Sequence, residues 1–166
     1  IYLISGEFDD SEMNELYNHP KVKAMVSFTK GEGFGRPLLE FATTGKPIIA
    51  SGWSGHTDFL KTDYNVLLPG RLENVHPSAA NDWLVKEAQW FQVDEKTAKS
   101  SLKQVYKHYK DYLNRSKKQK QYIKENFSWD KMKKLVNKNL ESNVPDLPVQ
   151  VPLNLSNIGL PKLNKI

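Results

Sequence analysis

Short apolar runs recur along the first 70 residues and predict strands that are separated by helices. Four such runs are expected to form buried strands, at 1–5, 23–28, 47–51 and 65–70. Between the first two runs, Met13, Leu16 and Tyr17 recur at helical spacing. That helix is expected to stop near Pro20. Strands that alternate with helices usually pair in parallel, so this half of the chain predicts an α/β fold with an open, Rossmann-like parallel sheet and flanking helices.

The pattern becomes helical after about residue 81. Two apolar faces are predicted there, the first formed by Trp83, Leu84, Ala88 and Phe91 and the second by Leu102, Val105, Tyr106, Tyr109 and Leu113. A further helix is expected to begin after the capping residue Ser128 and to continue to Leu140. Segment 144–166 is rich in proline and leucine and is expected to be an extended tail. We therefore predict one domain over 1–143, with a helical C-terminal region, followed by this tail.

The length of 166 residues favours a single main domain, and the composition narrows its class. The sequence contains no cysteine, which excludes disulfides and thiolate metal sites and fits a cytoplasmic protein. No apolar run approaches the roughly 18 residues that a membrane span needs. The chain opens at Ile1, inside an apolar run, and we interpret it as an N-terminally truncated piece of a longer protein.

Positive charge is concentrated in the second half of the chain. The net charge is +5, and residues 96–140 contain 14 Lys or Arg against 3 acidic residues. Such a stretch attracts anions, nucleic acid or an acidic membrane surface. No nucleic-acid-binding motif accompanies it, so a solvated lysine face is the favoured interpretation and nucleic acid is not an expected partner.

The segment "KGEGFGRPLLE", from Lys30 to Glu40, carries the strongest chemical signal. It places a glycine loop between a predicted strand and a helix in which Pro37 is expected to be the first residue. In open α/β proteins this arrangement binds phosphate through backbone N–H groups at the helix N-terminus. The spacing matches neither the dinucleotide fingerprint nor the P-loop, so both of those activities are disfavoured.

Two glutamates make this loop unusual. Glu40 is expected in the first helical turn, with its carboxylate facing the rim of the glycine loop. A carboxylate repels phosphate, but it can accept hydrogen bonds from ribose hydroxyls. Glu32 lies inside the loop and could meet a second polyhydroxy group. An anion site between two hydroxyl-binding carboxylates suits a nucleotide-sugar, whereas solvated glutamates are the alternative.

The extended motif "EGFGRPLLEFATTGKPIIAS" resembles the Glu-x(7)-Glu motif of retaining glycosyltransferases with the GT-B fold, especially glycosyltransferase family 4. The flanking segments "EMNELYNHPKVKAMVSFTK" and "SGWSGHTDFL" are also similar to that family. The resemblance is tight over about 11–70 and loose up to about 140. It implies that the domain is the C-terminal, nucleotide-sugar-binding half of a GT-B fold.

The resemblance implies roles for individual residues. Glu40 would bind the ribose of the donor, and Glu32 would act near the reaction centre on the transferred sugar. The backbone around Phe34, Gly35 and Arg36 would hold sugar hydroxyls and phosphate.

Four more residues are implied as donor-binding candidates, namely Gly33, Ser54, Gly55 and Lys30. In this family the leaving diphosphate is stabilised by positive side chains and helix N-termini, so neither a metal nor another cofactor is expected. Arg36 departs from the apolar residue that is usual at its position. The phosphate-binding cations of the family come from strands upstream of Ile1, as does the acceptor-binding domain that we expect as a partner. This chain alone is therefore not expected to catalyse transfer.

Several alternatives remain open. The chain could be a binding module that holds a nucleotide-sugar without catalysis, or a basic nucleic-acid-binding protein. A glycoside hydrolase that uses Glu32 and Glu40 as acid and base is disfavoured by the phosphate-type loop. The resemblance also leaves open a peripheral contact with a membrane surface.

Overall fold

A computed structural model of the chain describes residues 1–145. It contains helices α1 (Asp10–Asn18), α2 (Arg36–Ala42), α3 (Glu95–Lys107), α4 (Tyr109–Asn126) and α5 (Trp129–Asn143). Its strands are β1 (Met25–Ser27), β2 (Ile48–Ser51), β3 (Val66–Leu68), β4 (Gly70–Asn74) and β5 (Gln89–Val93). The chain is therefore mixed α/β, as the sequence predicts.

The first three strands form a parallel sheet in the order β1-β2-β3. Met25 lies opposite Ile48, and Ile49 lies opposite Val66. The prediction of parallel pairing over the first 70 residues is thereby confirmed. Because parallel neighbours end on the same side, the loops that follow β1 and β2 meet at one edge of the sheet.

The central strand β2 is buried along its whole length and divides the core into two clusters. Ile48 and Ala50 face a cluster that includes Phe41 of α2 and Ile123 of α4. Ile49, between them, faces a second cluster built from β5, α3 and neighbouring residues. This alternation is the period of a strand that is covered on both faces.

A hairpin of β4 and β5 replaces the helix predicted after residue 81. The two strands pair antiparallel, with Leu72 opposite Phe91 and Gly70 opposite Val93. The predicted helical face from Trp83 to Phe91 was therefore wrong. Phe91 and Val93 alternate inward, which is strand periodicity.

The predicted strand at 1–5 is also absent. These residues have no regular secondary structure, and the apolar side chains of Ile1, Tyr2 and Leu3 are exposed. Within residues 1–145 no strand pairs with them. An isolated strand leaves its backbone groups without partners, so an apolar run alone is not sufficient to form one.

The helices of the second half are largely as predicted. In α3, Val105 is buried whereas Tyr106 is exposed, so the second predicted face is narrower than expected. The Lys131 backbone N–H donates to Ser128 Oγ over 3.3 Å, which confirms the predicted cap of α5. The chain divides into compact units at Met132, within this helix. The predicted tail at 144–166 lies almost wholly outside the described residues.

A buried glutamine holds α4 to the segment that follows β2. Gln119 is 1% exposed, and its Oε1 accepts from the Lys61 backbone N–H (3.1 Å) and from Asn65 Nδ2 (2.8 Å). Its Nε2 donates to the Phe59 carbonyl over 2.7 Å. The Gln119 side chain thus provides hydrogen-bond partners for three polar groups of the segment 59–65.

We expect Gln119→Leu to destabilise the fold by about 2–4 kcal/mol, because the Lys61 N–H and the Phe59 carbonyl lose their partner and Asn65 Nδ2 loses one of its two hydrogen bonds. Urea unfolding followed by circular dichroism measures the loss. Gln121→Leu is the matched control, since Gln121 is exposed on the same helix. Equal stability of the two variants would contradict the assigned role of Gln119.

Candidate functional site

The candidate site is built from two loops at the carboxyl edge of the parallel sheet. The glycine loop follows β1 and leads into α2, and the loop at 52–54 follows β2 and leads into a 3₁₀ turn, Gly55–Asp58. Thr29 Oγ1, in the first loop, and Ser51 Oγ, at the end of β2, are 3.4 Å apart. The residues of the predicted site lie in these two loops, except for Gly55, which begins the 3₁₀ turn, and Arg36 and Glu40, which lie in α2.

The Ser54 hydroxyl forms hydrogen bonds with both the N–H and the carbonyl of Glu32. Its Oγ accepts from the Glu32 N–H (2.9 Å) and donates to the Glu32 carbonyl (2.6 Å). The Gly55 N–H donates to the same carbonyl over 3.1 Å. Ser54 also has φ +88°, a region that non-glycine residues adopt rarely. We call this set of contacts between Glu32, Ser54 and Gly55 the loop lock.

Close approach makes two glycines necessary at this site, Gly55 of the loop lock and Gly35 next to His56. A Cβ on Gly55 would lie 2.0 Å from the Gly33 carbonyl oxygen, which is a severe clash. Gly35 has φ +83°, and a Cβ there would lie 2.9 Å from His56 Cβ. Gly33 itself has open space where a Cβ would be. At Gly35 and Gly55 the glycine pattern therefore reflects contact between the two loops.

His56 is buried beneath the glycine loop. Its Nε2 is 2.6 Å from the Ser51 carbonyl, so the ring donates a local hydrogen bond. Its Nδ1 is buried and has no partner among residues 1–145. The side chain holds the start of the 3₁₀ turn against the end of β2.

Glu40 lies beside the N-terminus of α2, although not in its first turn. The helix begins at Arg36, which makes Pro37 the second residue and Glu40 the fifth. Both positions correct the prediction, because the helix starts one residue earlier. Glu40 Oε1 still reaches back to the helix start, where it accepts from Arg36 Nε at 2.5 Å. The Glu40 side chain remains 41% exposed, so a ligand can reach it.

An open groove of about 590 Å³ separates α1 from α2. Glu40, Arg36 and Thr44 line one wall, and Asp10 and Tyr17 line the other. Arg36 Nη2 lies 4.0 Å from Asp10 Oδ1, so the guanidinium sits between two carboxylates. The groove therefore combines carboxylate acceptors, a cation and an aromatic ring next to the glycine loop.

Charge and burial in the groove shift the pKa of Arg36 and the pKa of Tyr17. The hydrogen bond from Arg36 to Glu40, together with the negative charge of Glu40, raises the pKa of Arg36. Partial burial, and then the charge of Glu40, raises the pKa of the Tyr17 phenol. Arg36 is therefore cationic and Tyr17 neutral at physiological pH, so the phenol can donate a hydrogen bond.

Lys30 points away from the glycine loop, toward the β4–β5 hairpin. Its Nζ bonds to Gln92 Oε1 and lies 4.9 Å from the centroid of the Trp90 ring. The Phe91 N–H also donates to the Lys30 carbonyl over 2.9 Å. Lys30 thus joins the glycine loop to the hairpin, and its side chain lies apart from the other donor-binding candidates.

Glu32 and Phe34 remain accessible. Phe34 is 44% exposed and packs with its other side on Phe59, with ring centroids 5.1 Å apart. The Glu32 side chain is half-buried. Within residues 1–145, its carboxylate forms no ion pair and no hydrogen bond. It is therefore available to a ligand, while its backbone is fixed by the loop lock.

Other features of residues 1–145 lie apart from this site. A groove of about 720 Å³ lies at the N-terminus of α3, lined by residues that include Arg71, Glu73 and Asp94. No cluster of three His, Asp or Glu side chains in this part of the chain could hold a metal ion. None of the helices described is both long and apolar enough to cross a membrane.

No family model, curated protein or solved structure matches this chain. The resemblance to the glycosyltransferase motif therefore rests on the residues quoted above.

Sequence reasoning missed the aromatic residues that surround the loop. Trp53 stacks on Phe91, with ring centroids 5.8 Å apart and planes 7° from parallel. Phe91 was assigned to a helix, and Trp53 was given no role. The aromatic and β-branched residues of "QWFQV", directly before the capping residue Asp94, could have indicated a strand before α3.

The contact between the two loops predicts a large loss of stability for one alanine substitution and almost none for another. Gly55→Ala should destabilise the fold by about 3 kcal/mol, because its Cβ would collide with backbone. Gly33→Ala should change stability by less than about 0.5 kcal/mol, since its Cβ meets no atom. Urea denaturation of both variants checks this. A Gly55→Ala protein as stable as Gly33→Ala would contradict the close approach of the two loops.

Proposed function

We propose that this chain is the donor-binding domain of a retaining glycosyltransferase, the C-terminal half of a GT-B fold, and binds a nucleotide-diphospho-sugar. The observation that carries the proposal is the position of Glu40. Its carboxylate accepts from the side chain of Arg36, the first residue of α2, and lies in an open groove between α1 and α2. The glycine loop leads directly into Arg36. A carboxylate there suits hydroxyl groups, and the neighbouring backbone suits phosphate.

The nucleoside would lie in the groove between α1 and α2. Glu40 would accept hydrogen bonds from the ribose hydroxyls, as an acidic residue does in dinucleotide-binding folds. Arg36 orients the Glu40 carboxylate through its hydrogen bond, and its own charge is available to the diphosphate. Tyr17, on the opposite wall, offers a phenol donor and an apolar ring face.

The diphosphate and the sugar would lie over the glycine loop. Backbone groups at Gly33, Phe34 and Gly35 would contact the phosphate and the sugar hydroxyls. Glu32 would contact the transferred sugar, since its carboxylate is free while its backbone is held by Ser54. Ser54 and Gly55 then act as positioning residues.

The proposed reaction breaks the bond between the anomeric carbon and the diphosphate oxygen. The anomeric carbon forms a new bond to an acceptor hydroxyl oxygen, whose proton leaves with the nucleoside diphosphate. Stabilisation of the leaving charge by fixed dipoles and cations is the main contribution expected from the domain. An acceptor-binding domain would be the second component of the complete enzyme.

A titration with nucleotides tests the proposal. We expect saturable calorimetric binding of one of UDP, GDP or ADP, and about tenfold weaker binding by Glu40→Gln, because charged hydrogen bonds to the ribose are lost.

Glu73→Gln is the matched control, since Glu73 also forms an exposed pair with an arginine but lies on β4. Its affinity should equal that of the unsubstituted chain. Failure of all three nucleotides to bind, or unchanged affinity of Glu40→Gln, would refute the proposed function.

A further inference from the structure

An exposed aromatic surface next to the loop lock belongs to Trp53, which directly precedes Ser54. Trp53 is 39% exposed although it follows the fully buried end of β2. One face of its indole is stacked on Phe91, which is itself buried in the second core cluster. The ring is therefore backed by the core, and its exposed area lies away from Phe91.

Two neighbours fix the orientation of this ring. Gly31 lies against its edge, because a Cβ at position 31 would be 3.4 Å from Trp53 Cζ3. The hairpin that carries Phe91 is bonded to the glycine loop through the Lys30 carbonyl. The indole is thus held between the glycine loop and the hairpin without the need for a ligand. Such preorganisation reduces the entropy cost of binding.

We infer that the exposed face of Trp53 is a stacking platform for a pyranose ring, which rests on the proposed function and extends it to the sugar. The C–H groups on one face of a pyranose carry partial positive charge and pack well against the negative face of an aromatic ring. The ring hydroxyls need polar partners, and Glu32 is linked to this region because Ser54, the residue after Trp53, binds the Glu32 backbone. An apolar face on one loop and a carboxylate on the loop bound to it match the two chemical characters of a sugar.

The pyranose could belong to the donor or to the acceptor, and both would use the same chemistry. Binding measurements on the chain separate the two sources. The probes are UDP-glucose, GDP-mannose and ADP-glucose, each compared with its nucleoside diphosphate alone, and methyl α-glucoside and methyl α-mannoside as sugars without a nucleotide.

We expect Trp53→Ala to weaken binding of a nucleotide-hexose or of a methyl glycoside by about tenfold. Binding of the nucleoside diphosphate alone should stay unchanged. Loss for the nucleotide-hexose assigns the platform to the donor sugar, and loss for the methyl glycoside assigns it to the acceptor. Trp53→Phe should recover much of the affinity, because it keeps a ring stacked on Phe91.

Trp83→Ala is the matched control, since Trp83 is 96% exposed and takes part in no stacked pair among residues 1–145. It should not change the affinity of any probe. Circular dichroism verifies that the variants fold. If Trp53→Ala does not fold, Trp53→Leu replaces it, because leucine keeps an apolar side chain on Phe91 but offers no aromatic face, and it should show the same loss of about tenfold.

The outcomes distinguish the two proposals. Nucleotide binding with no effect of Trp53→Ala, or of Trp53→Leu in its place, on any sugar probe would overturn the platform and leave the donor site intact. Absence of nucleotide binding would refute the proposed function, and the methyl glycosides would then decide on the platform alone. If no sugar probe binds the unsubstituted chain, the platform is refuted as well.

Discussion

The close approach of Gly55 to the Gly33 carbonyl is the constraint on which the candidate site depends. Only a hydrogen atom fits at the Cα of residue 55 on the side that faces this oxygen. That approach lets Ser54 reach both backbone groups of Glu32. The loops after two neighbouring strands therefore behave as one structure, and neither has its conformation without the other.

The same contact shows that the residues of the motif have two different structural roles. Glycines and serine hold the backbone, while the carboxylates of Glu32 and Glu40 stay accessible. Strain is confined to Ser54, whose positive φ is compensated by its two hydrogen bonds to Glu32. A fixed backbone with accessible acceptors is the arrangement that a polyhydroxy ligand requires.

Much of this organisation could be predicted from the sequence, and the exceptions have physical causes. The parallel strands β1, β2 and β3 follow from apolar runs between helices. The segment at 1–5 is also apolar, but no strand within the described residues pairs with it, so the strand predicted there from composition alone was wrong. The hairpin was missed because Trp83, Leu84, Ala88 and Phe91 fit a helical period by coincidence. At the site, the chain order suggested Glu32 and Glu40, whereas the stacking of Trp53 on Phe91 joins residues far apart in sequence and left no local signal.

The contacts of Gln119 determine when the site can fold during synthesis. It contacts Lys61 and Asn65 across more than 50 residues of chain, and Ile123 of the same helix packs in the cluster that supports α2. During synthesis the glycine loop therefore leaves the ribosome long before the helix that supports it. The loop and α2 must wait for α4, and non-local contacts of this kind form slowly. A nascent chain that stops before α4 would contain the complete motif but would lack the scaffold that shapes it.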